Sequence, residues 1–318
     1  MKSFAFVFPG QGSQSVGMLD AWAGHPAVAE TLRETSDALD EDIAALIANG
    51  PKEALSLTTN TQPVMLVAGV AAWRAWLAEG GVMPSVVAGH SLGEYSALVA
   101  AGVLTLAQAA PLVRFRAHAM QQAVPVGVGA MAAVMGMNSD QVRACCAEAT
   151  ESFGAGSAEI VEAVNFNDPM QTVIAGSKAA VDRACEIVKA AGAKRALLLP
   201  VSAPFHSSLM RPAAEALREK LASLTFAVPR ISVVNNIDVK IETDAERIRD
   251  ALVRQAAGPV RWVESMQALK TLDVEAIIEC GPGRILAGMA KRIAPEIATG
   301  VLYDPVTLAE SRQLLGLP

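Results

Sequence analysis

The 318-residue chain has few aromatic residues and no long hydrophobic run, although apolar residues are abundant. Aromatic residues make up 4% of the sequence and hydrophobic residues 52%, so Ala, Val, Leu and Ile must supply most of the core. Such cores are typical of buried parallel strands covered by Ala-rich helices. No segment reaches the roughly 18 apolar residues that a membrane span requires. The apolar run Phe4–Phe8 is ended by Pro9 and Gly10, which favours a first strand over a signal segment. We therefore expect a cytoplasmic protein with no membrane partner.

Cysteine, histidine and basic residues are also sparse. The four cysteines form no Cys-x-x-Cys pair, and the four histidines are scattered without carboxylates at ligand spacing. We therefore expect reduced thiols and no metal site. Lys and Arg number 26 against 32 Asp and Glu, which gives a net charge of −6, and no basic run is present. This balance argues against nucleic acid as a partner.

Strands alternate with helices over most of the chain, with helices predicted at about Pro26–Leu39 and Pro63–Ala78. This alternation predicts a parallel α/β sheet. Between residues 127 and 199 the order changes to β-α-β-β-α-β, a ferredoxin-like unit with a core of its own. We therefore predict an α/β fold in which residues 1–126 and 200–318 form a large domain and residues 127–199 form an inserted ferredoxin-like subdomain.

The segment Gly89-His90-Ser91-Leu92-Gly93 has the pattern Gly-x-Ser-x-Gly, with an apolar strand before it and a helix-forming run after it. On a sharp strand-to-helix turn, the glycines avoid collisions and the serine hydroxyl projects from the end of the sheet. The backbone N–H of Leu92 then points toward an oxyanion at the positive helix N-terminus. We predict that Ser91 is a nucleophile, the alternative being a serine N-cap on an ordinary turn.

A serine nucleophile needs a base, and His206 is the best candidate because it lies in a proline-bounded loop just before a helix. A histidine that caps a helix or packs in the core explains the same position equally well. No carboxylate between Ser91 and His206 stands out as the group that orients the histidine. Asp168 is one possibility, although it falls inside the predicted subdomain. A backbone or amide carbonyl in that place would leave a dyad.

Arg116 interrupts the apolar face of a predicted helix. This helix begins at Thr105, with Gln108 completing a capping box, and its apolar stripe continues to Met120. A buried arginine requires an anion. The residues alone leave two partners open, a structural carboxylate and a substrate carboxylate.

Taken together, these segments resemble the malonyl-CoA:acyl carrier protein transacylases over essentially the whole chain. The matching segments are Phe8–Gln14, Gly89–Leu98, Arg114–Arg116 with Met120 and Gln121, Val164–Asn167 with Val173–Gly176, Ser202–Ser207 with Met210, Gln255 with Pro259–Trp262, and Glu279–Gly283. Several ordered segments are far more specific than the Gly-x-Ser-x-Gly pattern alone. The resemblance implies a hydrolase-like parallel-sheet core, an inserted ferredoxin-like subdomain and an active site in the cleft between them.

The resemblance also implies a role for each candidate residue. Ser91 is the implied nucleophile and His206 its base, with the main-chain carbonyl of Gln255 orienting the histidine. The resemblance implies that the backbone amides of Gln11 and Leu92 form the oxyanion hole and that Arg116 pairs with the malonyl carboxylate. Phe205, just before the histidine, resembles the residue of malonyl-selective rather than methylmalonyl-selective relatives.

The implied activity is ping-pong transfer of a malonyl group from malonyl-CoA to the phosphopantetheine thiol of acyl carrier protein, through a malonyl-serine, for fatty acid biosynthesis. No metal or cofactor of the protein's own is implied, and we expect a monomer. The alternatives are a discrete malonyl transferase of a polyketide pathway, a serine thioesterase or esterase on the same core, and a non-catalytic docking module, which the intact candidate residues argue against. Because acyl carrier proteins are acidic, the basic pairs Lys194-Arg195 and Lys291-Arg292 are candidates for docking.

Overall fold

The computed structural model describes residues 2–201 and 203–317, and the strands in these residues form two sheets. The larger sheet is wholly parallel and has the strand order β7-β2-β1-β8-β9. Its strands are β1 (Phe4–Phe8), β2 (Val86–Gly89), β7 (Ser232–Val234), β8 (Ala276–Cys280) and β9 (Ala298–Leu302). The predicted α/β class is confirmed. Ser202, in one of the segments that carry the resemblance, lies outside the described residues.

The central strand β1 is buried on both faces, which is why its sequence is a continuous apolar run. On one face, Phe4 and Phe6 pack edge to face against Trp73 and Trp76, with ring centroids 5.5 to 6.1 Å apart. On the other face, alternate residues such as Ala5 join a second apolar cluster. Four of the few aromatic residues therefore pack together against one face of the central strand.

The helices outside the small sheet are α1 (Pro26–Leu39), α2 (Ile43–Asn49), α3 (Lys52–Leu55), α4 (Thr58–Ala78), α5 (Gly93–Ala100), α6 (Leu106–Gln122), α9 (Arg211–Ala222), α10 (Ala245–Ala256), α11 (Trp262–Thr271), α12 (Ile285–Ile293) and α13 (Pro305–Leu315). Two short 3₁₀ helices span Asp20–Trp22 and Ser208–Met210. Within the described residues, no helix combines the length and the apolar character needed to cross a bilayer.

The predicted start of α4 at Pro63 was wrong, because the helix begins five residues earlier. Proline is common in a first helical turn, which favoured that start. Inside the helix, proline removes a single backbone hydrogen bond. The Thr61 hydroxyl bonds the carbonyls of Leu55 and Leu57 at 2.8 and 3.0 Å and holds the turn before the proline.

The smaller sheet is antiparallel and has the strand order β4-β5-β3-β6. Its elements are β3 (Gly129–Met135), α7 (Ser139–Glu151), β4 (Val161–Asp168), β5 (Gln171–Ser177), α8 (Lys178–Ala190) and β6 (Arg195–Leu198). The predicted β-α-β-β-α-β order is confirmed, and these elements share an apolar cluster of their own. The limits of the domains at residues 127 and 199 stay a prediction.

Strand β4 carries the contacts that place the small sheet beside the turn that carries Ser91. The N–H of Phe166 donates to the Val260 carbonyl at 3.0 Å, and the N–H of Val260 donates to the Val164 carbonyl at 2.8 Å. At the end of β4, Asn167 Oδ1 lies 2.8 Å from His90 Nε2 in the turn itself. The two sheets therefore meet at the turn that carries Ser91.

Candidate active site

Ser91 lies on a sharp turn between β2 and α5. Its φ angle is +51°, a left-handed conformation that residues with a side chain rarely adopt. A Cβ atom at Gly89 would come within 1.9 Å of the Gly93 carbonyl carbon, and one at Gly93 within 2.0 Å of the Phe8 carbonyl oxygen. Both glycines of the Gly-x-Ser-x-Gly pattern are therefore required by the packing of this turn against β1 and α5.

The loop before the second 3₁₀ helix brings His206 to Ser91. The Nε2 atom of His206 lies 2.7 Å from Ser91 Oγ, and its Nδ1 atom lies 2.9 Å from the main-chain oxygen of Gln255. Because a carbonyl oxygen only accepts, Nδ1 carries the hydrogen and Nε2 accepts the hydrogen bond of the serine. The structure thus brings together three groups that are far apart in the sequence.

The imidazole of His206 is neutral at pH 7. Burial, and after it the positive charge of Arg116, lowers the pKa of His206 to about 3. The bond from Nδ1 to the Gln255 carbonyl acts in the opposite direction, because it stabilises the protonated ring. A neutral histidine bonded to a serine hydroxyl is in the protonation state that a general base needs.

Asp168, considered from the sequence as the group that orients the histidine, lies elsewhere. Its Oδ2 atom forms an ion pair with Arg292 Nε at 2.8 Å, and its Oδ1 atom accepts the N–H of Met170. The idea that Asp168 orients His206 was therefore wrong, because the geometry gives that place to the Gln255 carbonyl. The same ion pair engages Arg292, one of the basic residues suggested for docking.

Arg116 points into the same cluster from α6, whose predicted capping box at Thr105 is present. Its Nη1 atom donates to Gln62 Oε1 at 2.9 Å, and its Nη2 atom donates to Gln255 Oε1 at 3.1 Å and to Ser91 Oγ at 3.3 Å. Its Nε atom is buried without a hydrogen-bond partner. All the hydrogen-bond partners of this cation are neutral.

The charge of Arg116 is poorly compensated. The residue is 2% exposed, and burial lowers the pKa of its guanidinium. Among residues 2–201 and 203–317, no carboxylate forms an ion pair with it, and Glu94 acts on it only through its charge at longer range. Of the two partners that the sequence left open, the structural carboxylate is therefore not seen in the described residues. A substrate carboxylate stays a prediction.

Gln255 contacts His206, Arg116 and Ser91. Its main-chain oxygen holds His206, its Oε1 atom accepts from Arg116, and its Nε2 atom donates to the Ser91 carbonyl at 3.1 Å. The Nε2 atom also donates to Glu94 Oε2 at 2.9 Å. Burial raises the pKa of Glu94 to about 7, although its hydrogen bonds to Gln255 and to the Asn236 N–H oppose this rise.

A cavity of about 120 Å³ opens over these groups, between the large and small sheets. Gln11, Leu92 and Phe205 line it beside Ser91, and Met131 lines it from β3. A Cβ atom at residue 10 would lie 2.6 Å from the carbonyl oxygen of residue 90, so the loop that carries Gln11 packs directly on the turn. Over the described part of the chain, no group of three or more His, Cys, Asp or Glu side chains is placed to hold a metal ion.

Three buried polar residues of this site, Gln62, Glu94 and Asn236, carried no role in the sequence-based predictions. Gln62 stands in the apolar helix α4, and Glu94 in the apolar helix α5. Asn236 follows a buried strand at the same edge of the sheet as Ser91. Polar residues in these positions are the available signal, because a buried polar group must be hydrogen-bonded and sites gather at the carboxyl ends of parallel strands.

Comparisons with a family model, with protein sequences and with solved structures all identify acyl transferases as similar to this chain. Residues 5–294 match the acyl transferase domain family. The chain is 52% identical to the malonyl CoA-acyl carrier protein transacylase of Salmonella typhimurium over 310 residues, which cover 97% of this chain and 98% of that protein. It is similar to the crystal structure of an acyl-carrier-protein S-malonyltransferase from Burkholderia pseudomallei, with a TM-score of 0.95, 60% identity and coverage of 98% of this chain and 99% of that chain. It is also similar to a malonyl transacylase solved in complex with its type II PKS acyl carrier protein, with a TM-score of 0.94, 48% identity and coverage of 98% and 99%.

Proposed function

The chain belongs to the acyl transferase family, and on that basis we propose that it transfers the malonyl group of malonyl-CoA to the phosphopantetheine thiol of acyl carrier protein. We place this reaction in fatty acid biosynthesis in the cytoplasm. The reaction requires no cofactor of the protein's own, because the phosphopantetheine is carried by the partner. The relative solved with a type II PKS carrier is 48% identical, and it favours transfer in a polyketide pathway as the second candidate.

The observation that carries this proposal is the poorly compensated charge of Arg116 beside Ser91. The guanidinium lies 3.3 Å from Ser91 Oγ, so it is within reach of the far end of a short acyl group attached there. A malonyl group ends in a carboxylate, which a guanidinium binds with two parallel hydrogen bonds. An esterase or thioesterase for uncharged acyl chains gains nothing from a buried cation at this place.

The first half-reaction forms the malonyl ester of Ser91. Ser91 Oγ attacks the thioester carbonyl carbon of malonyl-CoA while His206 Nε2 takes its proton, and the Gln255 carbonyl stabilises the imidazolium through Nδ1–H. The main-chain amides of Gln11 and Leu92 hold the oxyanion of the tetrahedral intermediate, the second of them at the positive N-terminus of α5. The carbon–sulfur bond then breaks, and His206 returns the proton to the CoA sulfur.

The second half-reaction uses the same groups in reverse. The phosphopantetheine thiol gives its proton to His206 and attacks the ester carbonyl carbon, and the same amides hold the second oxyanion. When the ester bond breaks, His206 protonates Ser91 Oγ and the free protein is restored. Because the malonyl group stays on Ser91 between the two halves, CoA leaves before the carrier reacts, and this order is a ping-pong sequence.

The test is a transfer assay with purified protein, malonyl-CoA and two holo acyl carrier proteins, one from fatty acid synthesis and one from a type II polyketide system. Mass spectrometry follows the malonyl group on the protein and on each carrier. We expect malonyl transfer to the fatty acid carrier, and none to its apo form, which lacks the thiol. Release of malonate to water without transfer would contradict the proposal and support a thioesterase, while transfer to the polyketide carrier alone would favour the second candidate.

A further inference from the structure

Strand β7, which pairs with β2 at the edge of the large sheet, ends before it reaches the turn that carries Ser91. Strand β7 pairs with β2 in parallel register, Ser232 with Val86 and Val234 with Ala88, and ends there. Continued by two residues, the same register would place Asn236 opposite His90. In a parallel ladder, such a residue donates to the carbonyl before its opposite residue and accepts the N–H after it. For this position those groups are the Gly89 carbonyl and the Ser91 N–H.

The main chain of Asn236 does not make these bonds, because its N–H donates instead to Glu94 Oε2 at 2.9 Å. Its side-chain amide makes both. The Nδ2 atom donates to the Gly89 carbonyl at 2.7 Å, and the Oδ1 atom accepts the Ser91 N–H at 2.7 Å. The residue is fully buried, so water does not compete for these groups.

We propose that Asn236 is a positioning residue for Ser91. Its side-chain amide makes the two hydrogen bonds that the main chain of a longer β7 would make, and these bonds hold the turn in its left-handed conformation. The two bonds clamp the residues on either side of His90, and Ser91 has a φ angle of +51°. A strained residue keeps such a conformation only when its surroundings fix it. This inference rests on the proposed role of Ser91 as the nucleophile.

Positioning of this kind affects the rate because the hydroxyl must stay 2.7 Å from His206 Nε2. Glu94 Oε2 accepts both the N–H of Asn236 and the Nε2–H of Gln255, so the residue that holds the serine and the residue that holds the base share one acceptor. A displacement of the reacting groups by about 1 Å costs about 10²-fold in rate.

The experiment compares Asn236→Leu, which removes both bonds at similar volume, with Asn236→Asp, which keeps the acceptor for the Ser91 N–H and removes the donor. Asn235→Leu is the matched control, because Asn235 is also buried but its Oδ1 atom accepts the N–H of Asp238 rather than that of Ser91. The probe is an alkyl fluorophosphonate, which forms an O–P bond at a reactive serine and releases fluoride. Its rate reports on Ser91 without malonyl-CoA or a carrier, and thermal unfolding of each variant is measured in parallel.

We expect Asn236→Leu to react at least about tenfold more slowly than Asn235→Leu, with Asn236→Asp between them. With malonyl-CoA, the acylation rate at saturation should fall while KM stays within threefold, because Arg116 is not displaced. A folded Asn236→Leu protein that reacts within threefold of Asn235→Leu would overturn the inference, since a merely structural residue lowers the melting temperature and leaves this rate alone. If Asn236→Leu does not fold, the same threefold limit is applied to the probe reaction rate of Asn236→Asp relative to Asn235→Leu. Wild-type protein that reacts with the probe but not with malonyl-CoA would contradict the proposed function and leave this comparison valid, whereas wild-type protein inert to both would contradict both.

Discussion

Replacing Arg116 with alanine should remove the preference for malonyl over acetyl groups. The two groups differ by one carboxylate, so selectivity requires a residue that recognises that charge. Arg116 is buried beside Ser91, and Gln62 and Gln255 fix its two Nη atoms. The guanidinium is therefore oriented before substrate arrives, and little ordering is required when the carboxylate binds.

The size of the effect follows from the bonds that are lost. A charge-assisted hydrogen bond contributes about 1.5–3 kcal/mol, so two of them give about 3–6 kcal/mol. At about 1.36 kcal/mol per factor of ten, kcat/KM for malonyl-CoA should fall by about 10²- to 10⁴-fold. Acetyl-CoA leaves no carboxylate unpaired, so its transfer should stay level or improve. Lysine should rescue the malonyl rate only in part, because it keeps the charge but cannot form two parallel bonds.

The deciding quantity is the ratio of kcat/KM for malonyl-CoA to kcat/KM for acetyl-CoA. Arg114→Ala is the matched control, because Arg114 lies on the same helix but bonds Asn60 at 2.8 Å and pairs with Glu41 outside the cavity. We expect its ratio to equal that of the wild type. An unchanged ratio in Arg116→Ala would show that this arginine is structural and that malonyl selectivity comes from another residue.

Three further predictions follow from the site and its surroundings. His206→Ala should slow malonyl-serine formation by about 10²–10⁴-fold, measured by rapid-quench mass spectrometry, and a near-normal rate would move the base elsewhere. Burial raises the pKa of Glu279 to about 7 from 4.5, so the folded chain holds a proton between these pH values that the unfolded chain has lost, and stability falls as the pH rises through this window. Between pH 5 and pH 8, the free energy of unfolding measured in urea should fall by about 2–3 kcal/mol more in wild type than in Glu279→Gln. Glu310 lies at the exposed surface, so Glu310→Gln should show the same fall in the free energy of unfolding as wild type. An equal fall in all three proteins would refute the assignment to Glu279. Charge reversal of the exposed Lys194 or Lys291 should raise KM for acyl carrier protein and leave KM for malonyl-CoA unchanged, whereas equal effects on both substrates would argue against docking there.

Features set by local sequence were predictable. The turn that carries Ser91 needs Gly89 and Gly93 because a Cβ atom at either would overlap the backbone, and the Gly-x-Ser-x-Gly pattern shows this requirement in the sequence. The capping box at Thr105 is likewise a local pattern, and it fixed the start of α6. The start of α4 was not predictable from Pro63, because packing outweighs the loss of one backbone bond there.

Contacts between distant segments were not predictable from spacing. Ser91 and His206 are 115 residues apart, and His206 and Gln255 are 49 residues apart. The residues alone made His206 a candidate base with an equally good structural alternative, and only the resemblance connected it to Gln255. Nothing in the sequence connected Asn236 to the turn, because its proposed role depends on where β7 ends relative to β2. Such a relation exists only once the strand order of the sheet is known.

The most direct test of the central claim is the location of the malonyl group on the protein. Purified protein is mixed briefly with malonyl-CoA, quenched in acid, digested and mapped by mass spectrometry, and a second sample is chased with holo acyl carrier protein. We expect one malonyl adduct on the peptide that contains Ser91, its loss during the chase with equal gain on the carrier, and no adduct in Ser91→Ala. An adduct on another residue, or transfer to the carrier by Ser91→Ala, would contradict the account.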